Sequence, residues 1–178
     1  MILGMSLETF TIVHVIISLI AIASGLFVLY QMLNSRFAPG WTALFLATTV
    51  LTSVTGFMFP ISSFTPGLGF GVISLVVLSI ALYALYGQRF TGAWRWLYVV
   101  TAIFALYLNT FVLVVQSFQK IAVLNALASG SELPFAIAQG IVLIVFLALG
   151  YLGVCRFRVR KRTLRQFARR NAARSSVT

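Results

Sequence analysis

The chain has 178 residues and holds no aspartate, one histidine and one cysteine; its Asp+Glu total is 2. Each scarcity removes a class of chemistry. The two carboxylates, Glu8 and Glu132, stand more than a hundred positions apart, so no local acid/base pair exists. The lone Cys155 cannot form an intrachain disulfide, and a plain thiol is its simplest reading. Charged residues make up 8%, against about 25% in soluble domains. Hydrophobic residues make up 61%, more apolar surface than a globule of this size can hide. An ordinary soluble enzyme is excluded.

What charge there is has one sign. Lys+Arg number 13 and the formal net charge is +11. A nucleic-acid binder would carry that charge on a water-soluble face with stacking aromatics beside it. Here the aromatics lie inside apolar runs, and nucleic acid is not an expected partner.

Five apolar stretches reach the roughly 20 residues that a helix needs to cross a bilayer. They run from Phe10 to Leu33, Trp41 to Phe59, Leu68 to Tyr86, Trp94 to Phe118 and Pro134 to Cys155. Pro60 stops the second, and Pro134 suits the first turn of the fifth. Helices are expected because backbone groups at membrane depth must pair within their own segment. The first stretch has no basic residue before it and continues past Ala21-Ile22-Ala23, so it reads as a retained helix and not a cleaved signal. The apolar piece Ile121 to Ala128 is too short to cross and reads as a short helix along the interface. The expected fold is all-α: a transmembrane bundle over 1–155 and a basic cytoplasmic tail over 156–178.

The connections carry the orientation. Arg36 follows the first stretch, Arg89 and Arg95 lie between the third and fourth, and nine basic residues follow the fifth. With the N-terminus outside, all of these fall on the cytoplasmic side. Both glutamates and Lys120 fall outside, as the positive-inside rule favours. Trp41, Trp94, Trp96, Tyr30, Tyr86 and Tyr98 then form an aromatic belt at the inner surface.

Polar side chains at membrane depth are candidates for function, with hydrogen-bonded helix pairing as the plain alternative. At about 1.5 Å per residue, His14 lies about 9 Å below Glu8. Thr52 and Thr55, Asn109 and Gln116, and Gln139 fall at comparable outer depths on the second, fourth and fifth helices. These six residues define an expected outward-facing polar pocket around the single histidine, while the inner half offers no comparable set. A haem there would need a second axial ligand, either Met58 or His14 of a second copy. Met1, Met5, Glu8, His14 and Met58 have the softness for copper but no recognised spacing. A hydrogen bond to a quinone or a proton-exchanging role suits His14 equally. Metal identity stays open.

Small residues four apart (Ala21, Gly25) and three apart (Gly150, Gly153) permit close helix contact. The Gly/Pro-rich stretch from Thr55 to Gly71 lacks the Lys-Ser/Thr pair of a phosphate loop and reads as a tight outer turn. In the tail, Arg156, Arg158, Arg160, Lys161, Arg162 and Arg165 are interspersed with Phe157, Leu164, Phe167 and Ala168, which recur at intervals near seven and three to four. That pattern suits a helix lying on anionic lipid headgroups.

Several motifs together carry a resemblance: Phe45-Leu46-Ala47-Thr48-Thr49-Val50, Thr52-Ser53-Val54-Thr55-Gly56-Phe57-Met58-Phe59-Pro60, Ala93-Trp94-Arg95-Trp96, Tyr107-Leu108-Asn109-Thr110-Phe111 continuing to Gln116, and Glu132-Leu133-Pro134-Phe135. With His14 they resemble a group of small bacterial inner-membrane proteins without assigned function. The resemblance implies a bacterial inner-membrane location and carries no catalytic residue or cofactor. The chemistry present favours a non-catalytic accessory or assembly subunit that packs on other membrane subunits or on its own copies. A quinone- or haem-binding redox protein and an oligomeric channel or small-solute transporter are the alternatives.

Overall fold

The computed structural model describes residues 4–59 and 66–157. Those residues form an all-helical bundle with no β-strand among them. The helices are α1 (Leu7–Leu33), α2 (Pro39–Phe57), α3 (Pro66–Leu82), α4 (Trp94–Lys120), α5 (Ala122–Ser129) and α6 (Leu133–Arg156). A π-helical turn, Tyr83–Gly87, prolongs α3. Five segments are long and apolar enough to cross a membrane: α1, α2, α3 with its π turn, α4 and α6.

Local chemistry explains the ends. Ser6 caps α1, its hydroxyl accepting from the Thr9 amide at 3.1 Å, and Glu8 sits in the first turn against the helix dipole. The first span therefore starts three residues before its apolar run. Pro39 opens α2 and Pro134 lies in the first turn of α6, where a missing N–H costs nothing. The second span ends at Phe57 and not at Phe59. The residue before a proline is pushed out of the helical region, so Pro60 acts on Phe59 as well. The short piece forms α5, eight residues long, about 12 Å and well under a bilayer's thickness. None of its residues is buried.

Successive helices run up and down, giving the bundle two ends. The Glu8 end holds the starts of α1 and α6 and the finish of α4. The Arg95 end holds the finish of α1 and α6 and the start of α4. Helix α4 lies at the centre and touches α1, α2, α3 and α6. About 44% of its apolar span is buried within the bundle, against 6% for α6. The core around it is Val28, Phe45, Leu46, Leu78, Leu85, Val99 and Leu106.

Helices α1, α2 and α4 meet closely at Gly25. A Cβ there would lie 2.6 Å from Leu106 Cδ1 and 2.8 Å from the Phe45 ring. Gly153 plays the same part between α6 and α4, where a Cβ would meet Ile103 at 3.0 Å and Val99 at 3.1 Å. Both small-residue pairs named in the sequence thus include a glycine at a helix contact inside the bundle.

The Arg95 end is closed by aromatic rings. Phe90 packs edge-on against Phe37, Tyr98 and Phe157, with ring centroids 5.2, 4.9 and 5.8 Å apart. Phe90 holds φ +62°, a left-handed conformation costing on the order of 1–3 kcal/mol, and the buried ring offsets it. The end of α6 is clamped here as well. The Arg95 guanidinium donates to the Phe157 carbonyl and the Ser35 hydroxyl to the Arg156 carbonyl. A cation at a helix C-terminus also opposes the negative end of its dipole.

Tyr98 corrects an expectation. It is not part of an interfacial belt, because its side chain is fully buried at the centre of this cluster. Tyr30, Trp41, Tyr86 and Trp96 are exposed, as belt residues would be.

Gly25→Ala is expected to destabilise the bundle by about 1–3 kcal/mol, the range for overpacking a filled core. Gly140, which has nothing within 4 Å of its Cβ position, is the control, and Gly140→Ala is expected to cost nothing. Thermal unfolding in detergent reads both.

Candidate functional site

The expected site centres on His14, on the second turn of α1. Its Nδ1 lies 2.7 Å from Thr55 Oγ1 on α2. The same oxygen lies 2.7 Å from the Leu51 carbonyl and 3.1 Å from that of Thr52. A threonine hydroxyl has one proton, and a carbonyl can only accept. The arrangement that uses every contact puts the Thr55 proton on its own helix and has His14 Nδ1–H donating to Oγ1. Nε2 then carries a lone pair. Phe59 stands edge-on to the imidazole at 5.3 Å, and Phe10 packs on Phe59 at 5.1 Å. Gly56 keeps the neighbouring α2 surface low: a Cβ there would lie 3.8 Å from His14 Cε1.

The other predicted residues are distributed along the bundle. Asn109 on α4 donates through Nδ2 to Thr49 Oγ1 on α2 at 3.3 Å. Gln139 on α6 donates through Nε2 to the Phe111 carbonyl on α4 at 3.1 Å, and its Oε1 is buried without a protein partner. Thr52 Oγ1 is likewise buried without one. Gln116 is exposed near the end of α4. Of the six, His14 and Thr55 are brought into direct contact, while Asn109 and Gln139 each bind a different neighbour.

The common feature of these contacts is that each joins two helices. His14–Thr55 ties α1 to α2, Asn109–Thr49 ties α4 to α2, and Gln139–Phe111 ties α6 to α4. Ser53 adds a fourth tie, donating to Ser74 Oγ on α3 at 3.1 Å. Together the four bonds connect all five long helices.

Sequence reasoning left Thr49, Ser53 and Ser74 out of the site. It also missed Thr42, buried on α2 at the Arg95 end. A signal was present: Thr42, Thr49 and Ser53 recur at seven and then four residues, the spacing of one helix face. The Arg95 end, expected to lie inside, is therefore not bare of polar groups, since Thr42 and Tyr98 are both buried there. Burial and not position along the chain distinguishes them from surface residues.

Among the described residues no three His, Cys, Asp or Glu side chains group as metal ligands. Met5 and Met58 are partly buried and Glu8 is exposed, while Met1 lies outside the described residues. Arg156 closes α6. Arg158, Arg160, Lys161, Arg162 and Arg165 lie outside the described residues. Cys155 is exposed.

The geometry defines a class, a helical bundle with five segments fit to span a membrane and polar side chains bridging its helices. No family model, curated protein or solved structure matches the chain.

The His14–Thr55 tie is open to a double-mutant cycle. His14→Ala and Thr55→Val are each expected to destabilise the bundle. Their coupling is expected near 0.6 kcal/mol and no more than about 1.7, the range for hydrogen bonds between membrane helices. Thermal unfolding of the four proteins measures it, and strictly additive losses count against the bond.

Proposed function

We propose that the chain is a five-span bacterial inner-membrane protein with a non-catalytic role, an accessory or assembly subunit of a larger membrane complex. The observation that carries this reading is the contrast between α6 and the rest of the bundle. Helices α1 to α4 pack on one another, while α6 leaves most of its length uncovered. Ile137, Ile144 and Tyr151 recur at seven residues on α6 and are 60%, 67% and 72% exposed. That is the spacing of a helix-pairing seam. The polar groups inside the bundle support the same reading, since they serve to join helices. The N-terminus faces outside, and the basic tail holds anionic headgroups on the cytoplasmic side. The resemblance to small bacterial inner-membrane proteins accords with this placement.

A second reading has its own observation. His14 Nε2 has no partner among the described residues, and Gly56 and Phe59 leave a low, aromatic surface beside it. A quinone carbonyl needs a donor, which the other tautomer would supply; a haem iron would take the lone pair.

A photo-crosslinker at Ile144 is expected to capture one different membrane subunit in stoichiometric yield, with none captured from Val76 on the exposed face of α3. Adducts to lipid alone, or to a second copy alone, would overturn the accessory role. The second reading predicts a Soret band or extractable quinone in the purified protein, lost in His14→Ala.

A further inference from the structure

A groove on the flank of the bundle lies apart from the His14 region. It has a volume of about 460 Å³ and is lined by Ser79, Ile80 and Tyr83 on one side and by Trp94 and Leu97 of α4 on the other. That volume falls in the roughly 300–1,000 Å³ range of small-molecule sites. The two polar groups in the lining are already engaged. Ser79 Oγ donates to the Leu75 carbonyl at 2.8 Å, and the Tyr83 hydroxyl accepts from Gln88 Nε2 at 2.8 Å. What the groove offers an occupant is apolar contact.

The Tyr83 wall is held from three sides. Gly87 makes room for the ring, since a Cβ there would lie 2.9 Å from Tyr83 Cδ2. Trp94 stands edge-on to the ring at 5.0 Å, and Gln88 holds the hydroxyl. The π-helical turn supplies both Tyr83 and Gly87, and such turns recur at functional sites. Fixed in this way, Tyr83 is still 52% exposed. The ring presents a set surface to something outside the chain.

Charge at one end of the groove defines what that is. The loop from Gln88 to Ala93 joins the π turn to Trp94, so both walls end on it. Gln88 reaches Tyr83, and Arg89 beside it is exposed. Arg89 holds φ +48°. Phe90 offsets its own left-handed backbone with a buried ring, but Arg89 has no such burial, and strain of this kind collects at ligand clamps. Arg36, Arg89, Arg95 and Arg156 fall at this end of the bundle, while both glutamates of the chain fall at the other. Arg95 is occupied by the Phe157 carbonyl. Arg89 is the cation left for an anion at the groove, at the depth where Tyr83 and Trp94 suit a headgroup region.

We propose that the groove holds one acyl chain of an anionic phospholipid whose phosphate is met by Arg89. The site rests on the reading that the five long helices lie in a bilayer. A neutral lipid gains the same apolar contact without the charge, so the sign of the headgroup is what the site selects.

Trp94 lines the groove and reports on it. Trp41, on α2 at the same end and packed on Phe27, is the comparison. Two full-length proteins each keep one of these tryptophans, with the other two tryptophans replaced by phenylalanine. Each is placed in phosphatidylcholine vesicles with a small fraction of brominated phosphatidylglycerol or brominated phosphatidylcholine, and fluorescence quenching is compared. Trp94 is expected to be quenched about fivefold more effectively by the anionic lipid, the effect of about one basic residue near an anionic headgroup, and Trp41 equally by both. Arg89→Asn, which tolerates a left-handed backbone, should abolish the preference at Trp94, and so should Ser79→Phe, which fills the groove. Equal quenching of Trp94 by the two lipids, the same preference at Trp41, or a preference that survives either substitution overturns the site. Absence of quenching at both tryptophans overturns the membrane reading itself, and the site with it.

Discussion

Membrane helices cannot gain much from leaving lipid for one another, because lipid tails are as apolar as leucine side chains. Close packing and interhelical hydrogen bonds must hold them, and this bundle depends on how both converge on α4. Gly25 lets α1 come within van der Waals reach of Leu106 on α4 and Phe45 on α2. Around that contact, Asn109 reaches to α2 and the Phe111 carbonyl receives Gln139 from α6. The Ser53–Ser74 and His14–Thr55 bonds extend the framework to α3 and α1. A core of leucine, valine and phenylalanine alone would leave the helices free to rotate. The polar bonds fix the faces they present.

The number of long helices was legible in the sequence because length and hydropathy alone decide it. Their arrangement was not. Apolar residues surround every helix, so periodicity does not say which face is inside or which helix is central. Tyr98 illustrates the difficulty. A tyrosine four residues into a span reads as an interfacial anchor, yet the chain returns through Phe90 and Phe157 to bury it. Gln116 shows the reverse. It is seven residues from Asn109 and nominally on the same face, but a straight helix drifts about 20° per heptad. That drift is small; the larger reason is that no residue of α4 beyond Leu108 is buried, so the neighbouring helices no longer cover this face and Gln116 is exposed. The histidine site was partly legible: the depth estimate put His14 and Thr55 in one group of six, and these two side chains meet, but it gathered into one pocket residues that the bundle distributes along its length.

The same framework explains the uneven surface. Helix α6 is held by Gln139 near one end and by Arg95 and Ser35 at the other, with Gly153 against Val99 and Ile103. These contacts fix its position but cover little of it. A helix fixed in place yet largely uncovered suits a subunit whose remaining face belongs to a partner. The uncovered face and the helix-joining role of the polar groups are the two features on which the proposed accessory role rests.

The most direct test is a density map of the assembly extracted intact from its native membrane. The account predicts a foreign transmembrane helix seated along Ile137, Ile144 and Tyr151, and protein density alone around His14 and Thr55. A map with lipid along the whole of α6 and a bound cofactor against His14 would contradict it.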